Sequence, residues 1–322
     1  MLKISEYRTI IEKAISDLVF PAGNVASLYQ PILYGLSAGG KRLRPVLTLM
    51  GADSFGNNYQ DAIVPALGIE MFHNFTLFHD DVMDKSEFRR GRPTVHKKYN
   101  DNAAILSGDT MLTLAYEYIS KVPVNKLRNI LNSFNDMAIK VYEGQSLDMT
   151  FENSDNITVN DYIKMIEYKT GALLGASVKI GAIIGNASDK DADIMYEFGK
   201  NIGIAFQIQD DWLDTFGDSS TFGKPIGGDI NNSKKTYLYV SAFSEGGQTA
   251  DALKAAYNII PGEMRRNTVT RLYEKIGMSE KSKKAVNQYL GSALKAINET
   301  SLSKEVKEKF QEFAEKLIGR KK

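Results

Sequence analysis

Residues 302–317 read LSKEVKEKFQEFAEKL, with apolar side chains at Leu302, Val306, Phe310, Phe313 and Leu317. Steps of four, four, three and four bring all five onto one stripe of an α-helix, whereas a strand would divide them between its two faces. The same spacing recurs at Val269, Leu272, Tyr273 and Ile276, and again at Val286, Leu290, Leu294 and Ile297. Period-2 alternation is scarce throughout. No proline lies between Pro123 and Pro225, which leaves room for several long uninterrupted helices. Breaks fall at Pro21-Ala22-Gly23, Ser54 to Asn58, Asn153 to Asn156, Gly246-Gly247 and Pro261-Gly262. No low-complexity linker divides the chain, and no repeat of solenoid period is present. The expectation is one all-α domain over residues 1–322, a single bundle of ten or more helices.

Composition narrows the function classes. Apolar residues make up 43% of the 322 positions and charged residues 25%, the balance of a folded chain rather than a disordered one. Lys and Arg total 40 against 39 Asp and Glu, so a net charge of +1 provides no general attraction for nucleic acid or anionic membrane. There is no cysteine, which excludes disulfide scaffolds, thiolate metal sites and cysteine nucleophiles. The N-terminal residues lack the apolar core of a signal peptide. The most apolar stretch, Gly171 to Gly185, is rich in small residues, interrupted by Lys179 and too short for a membrane span; it predicts a closely packed core helix. A cytoplasmic protein with no membrane span is expected.

Two acidic clusters stand out. In Phe78-His79-Asp80-Asp81-Val82-Met83-Asp84, Asp80 and Asp84 are four apart, so on a helix their carboxylates share a face one turn apart. In Gln207-Ile208-Gln209-Asp210-Asp211-Trp212-Leu213-Asp214, Asp210 and Asp214 repeat that spacing. Each cluster ends an apolar run, Ile69 to Phe78 and Ile202 to Ile208. Carboxylates sharing a face repel one another, and a hard divalent cation removes the repulsion. Oxygen-only donors suit Mg²⁺, which binds through a few carboxylates, substrate phosphates and water. A solvated helix end could carry one such cluster as spare charge; two copies at equivalent places make that reading weaker. Neither segment has the Gly-turn loop of an EF-hand.

Basic residues accompany both clusters. Gly39-Gly40-Lys41-Arg42-Leu43-Arg44-Pro45 carries three cations after a Gly-Gly break, and Arg89-Arg90-Gly91-Arg92-Pro93 follows the first acidic cluster. Lys224, in Gly223-Lys224-Pro225, and Lys234-Lys235-Thr236 follow the second, while Lys169-Thr170-Gly171 lies mid-chain. Arg grips phosphate oxygens bidentately and Lys acts as a point charge. Acids to hold metal and bases to hold the remaining phosphate charge are what a metal-bridged diphosphate requires. No Walker A loop or post-strand GxGxxG is present.

As an ordered set, with Gly108-Asp109, Gly144-Gln145 and Asp148 in their places, these marks resemble the trans-isoprenyl diphosphate synthases, the polyprenyl synthetases, from about residue 39 to 237. The resemblance implies an all-α fold around a central active-site cavity, usually a homodimer. The reaction it implies is condensation of an allylic diphosphate with isopentenyl diphosphate. Asp80 and Asp84, supported by Asp81, resemble the first-motif Mg²⁺ ligands. Asp210 resembles the ligand of the second, with Asp211 and Asp214 reached partly through water; three ions are the family number. Arg89, Lys169, Lys224 and Lys234 resemble contacts to the allylic diphosphate. Lys41, Arg44, His73 and Arg90 resemble the isopentenyl diphosphate pocket, and Thr170 and Gln207 would flank the reacting carbons.

The chemistry expected of such a set is ionisation to an allylic cation, attack by the alkene, and proton loss to the departing pyrophosphate, with apolar walls excluding water. His73 and His79 are read as diphosphate or supporting groups rather than general bases, and Thr170 has a simple helix cap as its alternative. A terpene cyclase would carry a different second metal motif, and a non-catalytic subunit tends to lose one motif; this chain keeps both. Phe75, five residues before Asp80, with Thr76 beside it, resembles the floor of short-chain synthases. A C20 product is expected, with C15 as the alternative and C30 or longer disfavoured; the competing reading of Phe75 is an ordinary core aromatic.

Overall fold

The computed structural model describes residues 1–56, 58–154, 156–217 and 226–319. Helices follow one another as α1 (Ile4–Ser16), α2 (Ala26–Leu36), α3 (Leu43–Gly56), α4 (Ile63–Met83), α5 (Val95–Lys98), α6 (Asp101–Ile119), α7 (Val124–Glu152), α8 (Val159–Ile166), α9 (Ala172–Ile184) and α10 (Asp189–Phe216). The helices Tyr237–Phe243, Gly247–Tyr257, Glu263–Lys275, Met278–Glu299 and Lys304–Ile318 come after them. Among the described residues the sheet content is one hairpin, β1 (Phe88–Arg89) paired antiparallel with β2 (Arg92–Pro93). The all-α expectation holds. The proline-free span yields the two longest helices, α7 with 29 residues and α10 with 28. One expected break moves: Ser54 stays inside α3 because its hydroxyl bonds the carbonyl of Gly51, at 2.7 Å, without leaving the helix.

The chain forms two compact units. The first comprises Met1–Asn135 and Ser177–Met195, the second Asp136–Ala176 and Tyr196–Lys322. Their boundaries fall inside α7, α9 and α10.

In the first unit α4 is buried over most of its length, from Pro65 to Phe78. Phe72 is fully buried and meets Phe134 edge-on at 5.3 Å. The small residues of α9 permit backbone contact with α3: a Cβ at Gly51 would stand 2.6 Å from the carbonyl oxygen of Val178. This is the close packing expected of residues 171–185, and no described helix is long and apolar enough to cross a membrane.

The second unit packs Tyr162, Ile166, Ile204, Ile208, Val240 and Val286 into one cluster. Leu238, Leu253, Val269, Tyr273 and Met278 form another. The stripe read at the C-terminal end is the buried face of helix Lys304–Ile318, where Phe310, Phe313 and Leu317 turn inward and Phe310 meets Phe198 at 5.3 Å.

Candidate active site

The first acidic cluster occupies the last turn of α4. The amide of Asp84 donates to the carbonyl of Asp80 at 2.8 Å, so the turn stays helical and the two side chains share a face. Asp80 is half-buried and Asp84 exposed. Asp81 differs from both. It is 4% exposed, and Arg89 grips it, with Nε 2.9 Å from each carboxylate oxygen and Nη2 2.6 Å from Oδ1. The hairpin β1–β2 folds Arg89 back onto α4. Its turn residue Arg90 has φ +53° and sends its guanidinium the other way, onto the carbonyl of Gly39. Adjacent arginines thus reach different partners.

The Gly-Gly-Lys-Arg segment divides its cations in the same manner. Arg42 is buried, bonding Glu70 at 2.6 Å, Glu12 at 3.1 Å and the carbonyl of Leu36 at 2.6 Å. It anchors the segment. Arg44 donates to Nε2 of His73 at 3.1 Å, and its own Nε is buried with no protein partner. Burial and the nearby arginines Arg44, Arg90 and Arg89 push the His73 pKa well below its ordinary value, so the ring is neutral and accepts. Burial likewise pulls Arg44 down to about 10, which leaves it charged at neutral pH. Lys41 is exposed. His79 turns to α6, with Nε2 3.2 Å from the carbonyl of Ile105 and 3.7 Å from Asp109.

The second unit holds the other group. Residues Glu167–Gly171 form a π-helical turn between α8 and α9. Such wide turns interrupt the regular hydrogen-bond ladder and concentrate at functional positions. Lys169 Nζ lies 2.5 Å from Asp148 of α7. Thr170 sits inside the π turn rather than capping a helix, and its hydroxyl donates to Gln207 Oε1 at 3.3 Å. Gln207 Nε2 then donates to Asp211 at 3.2 Å. Asp211 is 4% exposed and also receives Tyr162 OH and the amide of Tyr237 at 2.8 Å. Asp214 is 7% exposed and accepts the amide of Asp229 at 3.0 Å. Asp210 is half-buried. In both motifs, therefore, the middle aspartate is buried and held by protein donors.

Burial raises Asp211 to about 7, against its three hydrogen bonds and with Asp210 adding repulsion. Asp229 rises to about 8 through burial and through Asp214 and Asp211, while Lys234 pulls it back. Sequence reasoning did not single out Asp229, Glu70 or Tyr162. A visible signal existed for Glu70, an acid inside an apolar helical run. Lys224 lies outside the described residues.

Among the described residues no group of three His, Asp or Glu side chains is placed to hold an ion alone. The donor set nevertheless fits a hard cation: it is all oxygen, and Mg²⁺ completes its shell with phosphate and water.

The sequence profile described as polyprenyl synthetase matches residues 25–276. The chain is 40% identical over 239 residues to a geranylgeranyl diphosphate synthase of Methanosarcina mazei, covering 73% of each chain. A solved geranylgeranyl pyrophosphate synthase superposes with a TM-score of 0.95 at 40% identity, covering 100% of both chains. A geranylgeranyl pyrophosphate synthase of Corynebacterium glutamicum, solved with isoprenyl diphosphate and magnesium, superposes with a TM-score of 0.84 at 25% identity, covering 99% of this chain and 96% of that one.

Proposed function

Because the chain belongs to the polyprenyl synthetase family and is a trans-prenyltransferase, we propose that it condenses an allylic diphosphate with isopentenyl diphosphate to the linear C20 diphosphate. The observation that carries the length is Phe75, 6% exposed and wedged between Phe72 at 5.5 Å and His79 at 4.8 Å. A ring clamped on both sides is a fixed wall. The relative from Methanosarcina mazei bears the same product in its name. Chain-length analysis of products from dimethylallyl, geranyl and farnesyl diphosphate tests the proposal. Products of C30 or longer as the main species would overturn it, and a cyclic hydrocarbon would indicate a cyclase.

In this reading Asp80, Asp84 and Asp210 hold Mg²⁺, with Asp214 assisting and three ions in all. Bound Mg²⁺ neutralises the departing diphosphate as its C–O bond ionises. Arg89, Lys169, Lys224 and Lys234 carry the remaining charge of the allylic diphosphate. Asp148 aims the ammonium of Lys169, and Asp81 aims the guanidinium of Arg89. Lys41, Arg44, His73 and Arg90 take isopentenyl diphosphate, which supplies a partner for the orphaned Nε of Arg44. The dipoles of Thr170 and Gln207 face the reacting carbons, and Asp211 keeps Gln207 in orientation.

The divergence of the two hairpin arginines predicts separable effects. Arg89→Ala should raise the KM for the allylic substrate, and Arg90→Ala that for isopentenyl diphosphate. Each loses charge-assisted hydrogen bonds, about 1.5–3 kcal/mol, or roughly 10- to 150-fold. Equal effects of both variants on both substrates would contradict the division.

The raised carboxyls predict a pH effect. Asp211 near 7 and Asp229 near 8 are largely protonated below those values, and a cation held beside them at Asp210 and Asp214 favours their ionised form. Stabilisation by Mg²⁺ should thus grow as pH rises from about 6 to 8.5, read as the gain in Tm with metal plus pyrophosphate over metal-free protein. A gain independent of pH would count against it.

Residues 1–322 are proposed to act as one catalytic domain, supported by unit boundaries that lie inside helices. Two well-separated calorimetric transitions would oppose that. A homodimer is proposed from two exposed apolar stripes. One is Ile105, Leu106 and Tyr116 on α6; the other is Ile139, Tyr142 and Met149 on α7. Light scattering checks it, and a monomer at micromolar concentration would overturn it. The proposal extends to a cytoplasmic location; firm recovery in the membrane fraction at high salt would count against it.

A further inference from the structure

One buried polar group in the second unit has no role in the reading above. Gln145 of α7 is 9% exposed, and both its Oε1 and its Nε2 are buried without a protein hydrogen-bond partner. A primary amide carries two donors and one acceptor with two lone pairs, and burial of such a group without partners is rare.

Its position is well defined. The neighbouring Gly144 brings α7 against the π turn: a Cβ there would stand 2.8 Å from Cα of Lys169 and 2.9 Å from the carbonyl carbon of Tyr168. Asp148, three residues on and on the same helix face, holds the ammonium of Lys169. Gln145 therefore sits about 4.5 Å along the axis from that ion pair, toward the buried Val141. On that side of Gln145 the same helix face continues with the buried apolar residues Val141 and Ala138. That placement suits a group facing prenyl carbons better than one facing diphosphate oxygens.

We propose that Gln145 is a catalytic residue whose side-chain carbonyl dipole stabilises the positive charge on the ionising allylic carbons. The inference rests on the prenyltransferase reading. In the step concerned the C1–O bond breaks heterolytically and its electron pair leaves with the diphosphate. The charge then spreads over C1 and C3 until the alkene of isopentenyl diphosphate supplies the pair for the new C–C bond and a proton is lost. A neutral amide opposes none of the anionic charge nearby, and a dipole fixed before reaction stabilises charge without reorganising.

The test is Gln145→Met in the full chain, which keeps the shape of the side chain and removes its dipole. A single-turnover rate at least tenfold lower is expected, with both KM values within about threefold of the wild type and Tm unchanged or raised. Two Mg²⁺-dependent inhibitors then separate the roles. An analogue with an ammonium nitrogen at the cationic carbon should lose about tenfold in affinity in the variant. A thiolodiphosphate analogue, which carries no positive charge at that carbon, should bind equally to both proteins. Equal losses for the two inhibitors, or an unchanged rate, would overturn the proposal. So would a fall of several degrees in Tm, which would mean that the amide is already satisfied in the free protein. A wild-type chain that fails to turn over with both substrates would instead defeat the underlying prenyltransferase reading.

Discussion

Asp80→Ala and Asp84→Ala each lower turnover by about three orders of magnitude or more and leave the helical signal intact. A metal ligand removed here is one whose ion stabilises charge chiefly as the bond breaks, so the loss falls on kcat more than on substrate affinity. The fold survives because α4 is held by other side chains. Phe72, Phe75 and Phe78 lie at 0%, 6% and 3% exposure, whereas Asp80 is half-buried and Asp84 exposed at the helix end. Asp210→Ala should behave in the same way. Asp81→Ala should not: it leaves Arg89 without the carboxylate that grips it, so stability and allylic-substrate affinity should suffer along with turnover. Steady-state rates across a Mg²⁺ titration, with circular dichroism on each variant, check the set. Near-normal turnover in Asp80→Ala, Asp84→Ala and Asp210→Ala together would remove the basis for two metal-binding motifs.

Phe75→Ala lengthens the products beyond C20 and destabilises the protein by about 3–5 kcal/mol, the usual cost of deleting a buried aromatic ring. The ring is 6% exposed, and its neighbours Phe72 and His79 are themselves fixed, Phe72 against Phe134 and His79 against the carbonyl of Ile105. The surroundings are thus poorly able to collapse into the space. What remains is room for further isoprene units. Phe75→Leu should lengthen products less and cost less stability. Product analysis by mass, with denaturant unfolding of the same variants, reads both effects. A folded Phe75→Ala enzyme with the wild-type product distribution would reduce Phe75 to an ordinary core aromatic.

Several details of the site depend on which way a side chain turns. Asp80, Asp81 and Asp84 are chemically alike, yet Asp81 is committed to Arg89. The same holds for Asp211, which is held by Tyr162, Gln207 and the amide of Tyr237. Arg42 and Arg44 are two residues apart, and one is a buried anchor while the other meets His73. Thr170, for which a helix cap was the plain alternative, belongs to a π turn. A single π turn shifts the helical phase by one residue over one turn only, too short a stretch for periodicity to register.

By itself the sequence determined whatever depends on neighbours three or four residues away. That includes the helical class, the stripes that face inward, the paired carboxylates on shared helix faces and the ordered motifs that mark the family. The first three are set by the 3.6-residue period, which reads the same in any context, and the family is legible from the identity and order of the motifs. Only the tertiary structure decided which of several like residues is open and which is consumed. Asp229 joins the second acidic group because the loop at Gly227-Gly228 lays its amide on Asp214, and the amide of Gln145 is buried without a hydrogen-bond partner. Hydrogen-bond partners such as Tyr162 for Asp211 and Glu12 for Arg42 lie tens of residues away in the chain. Burial and partner choice are properties of the packed core, and no local spacing encodes them.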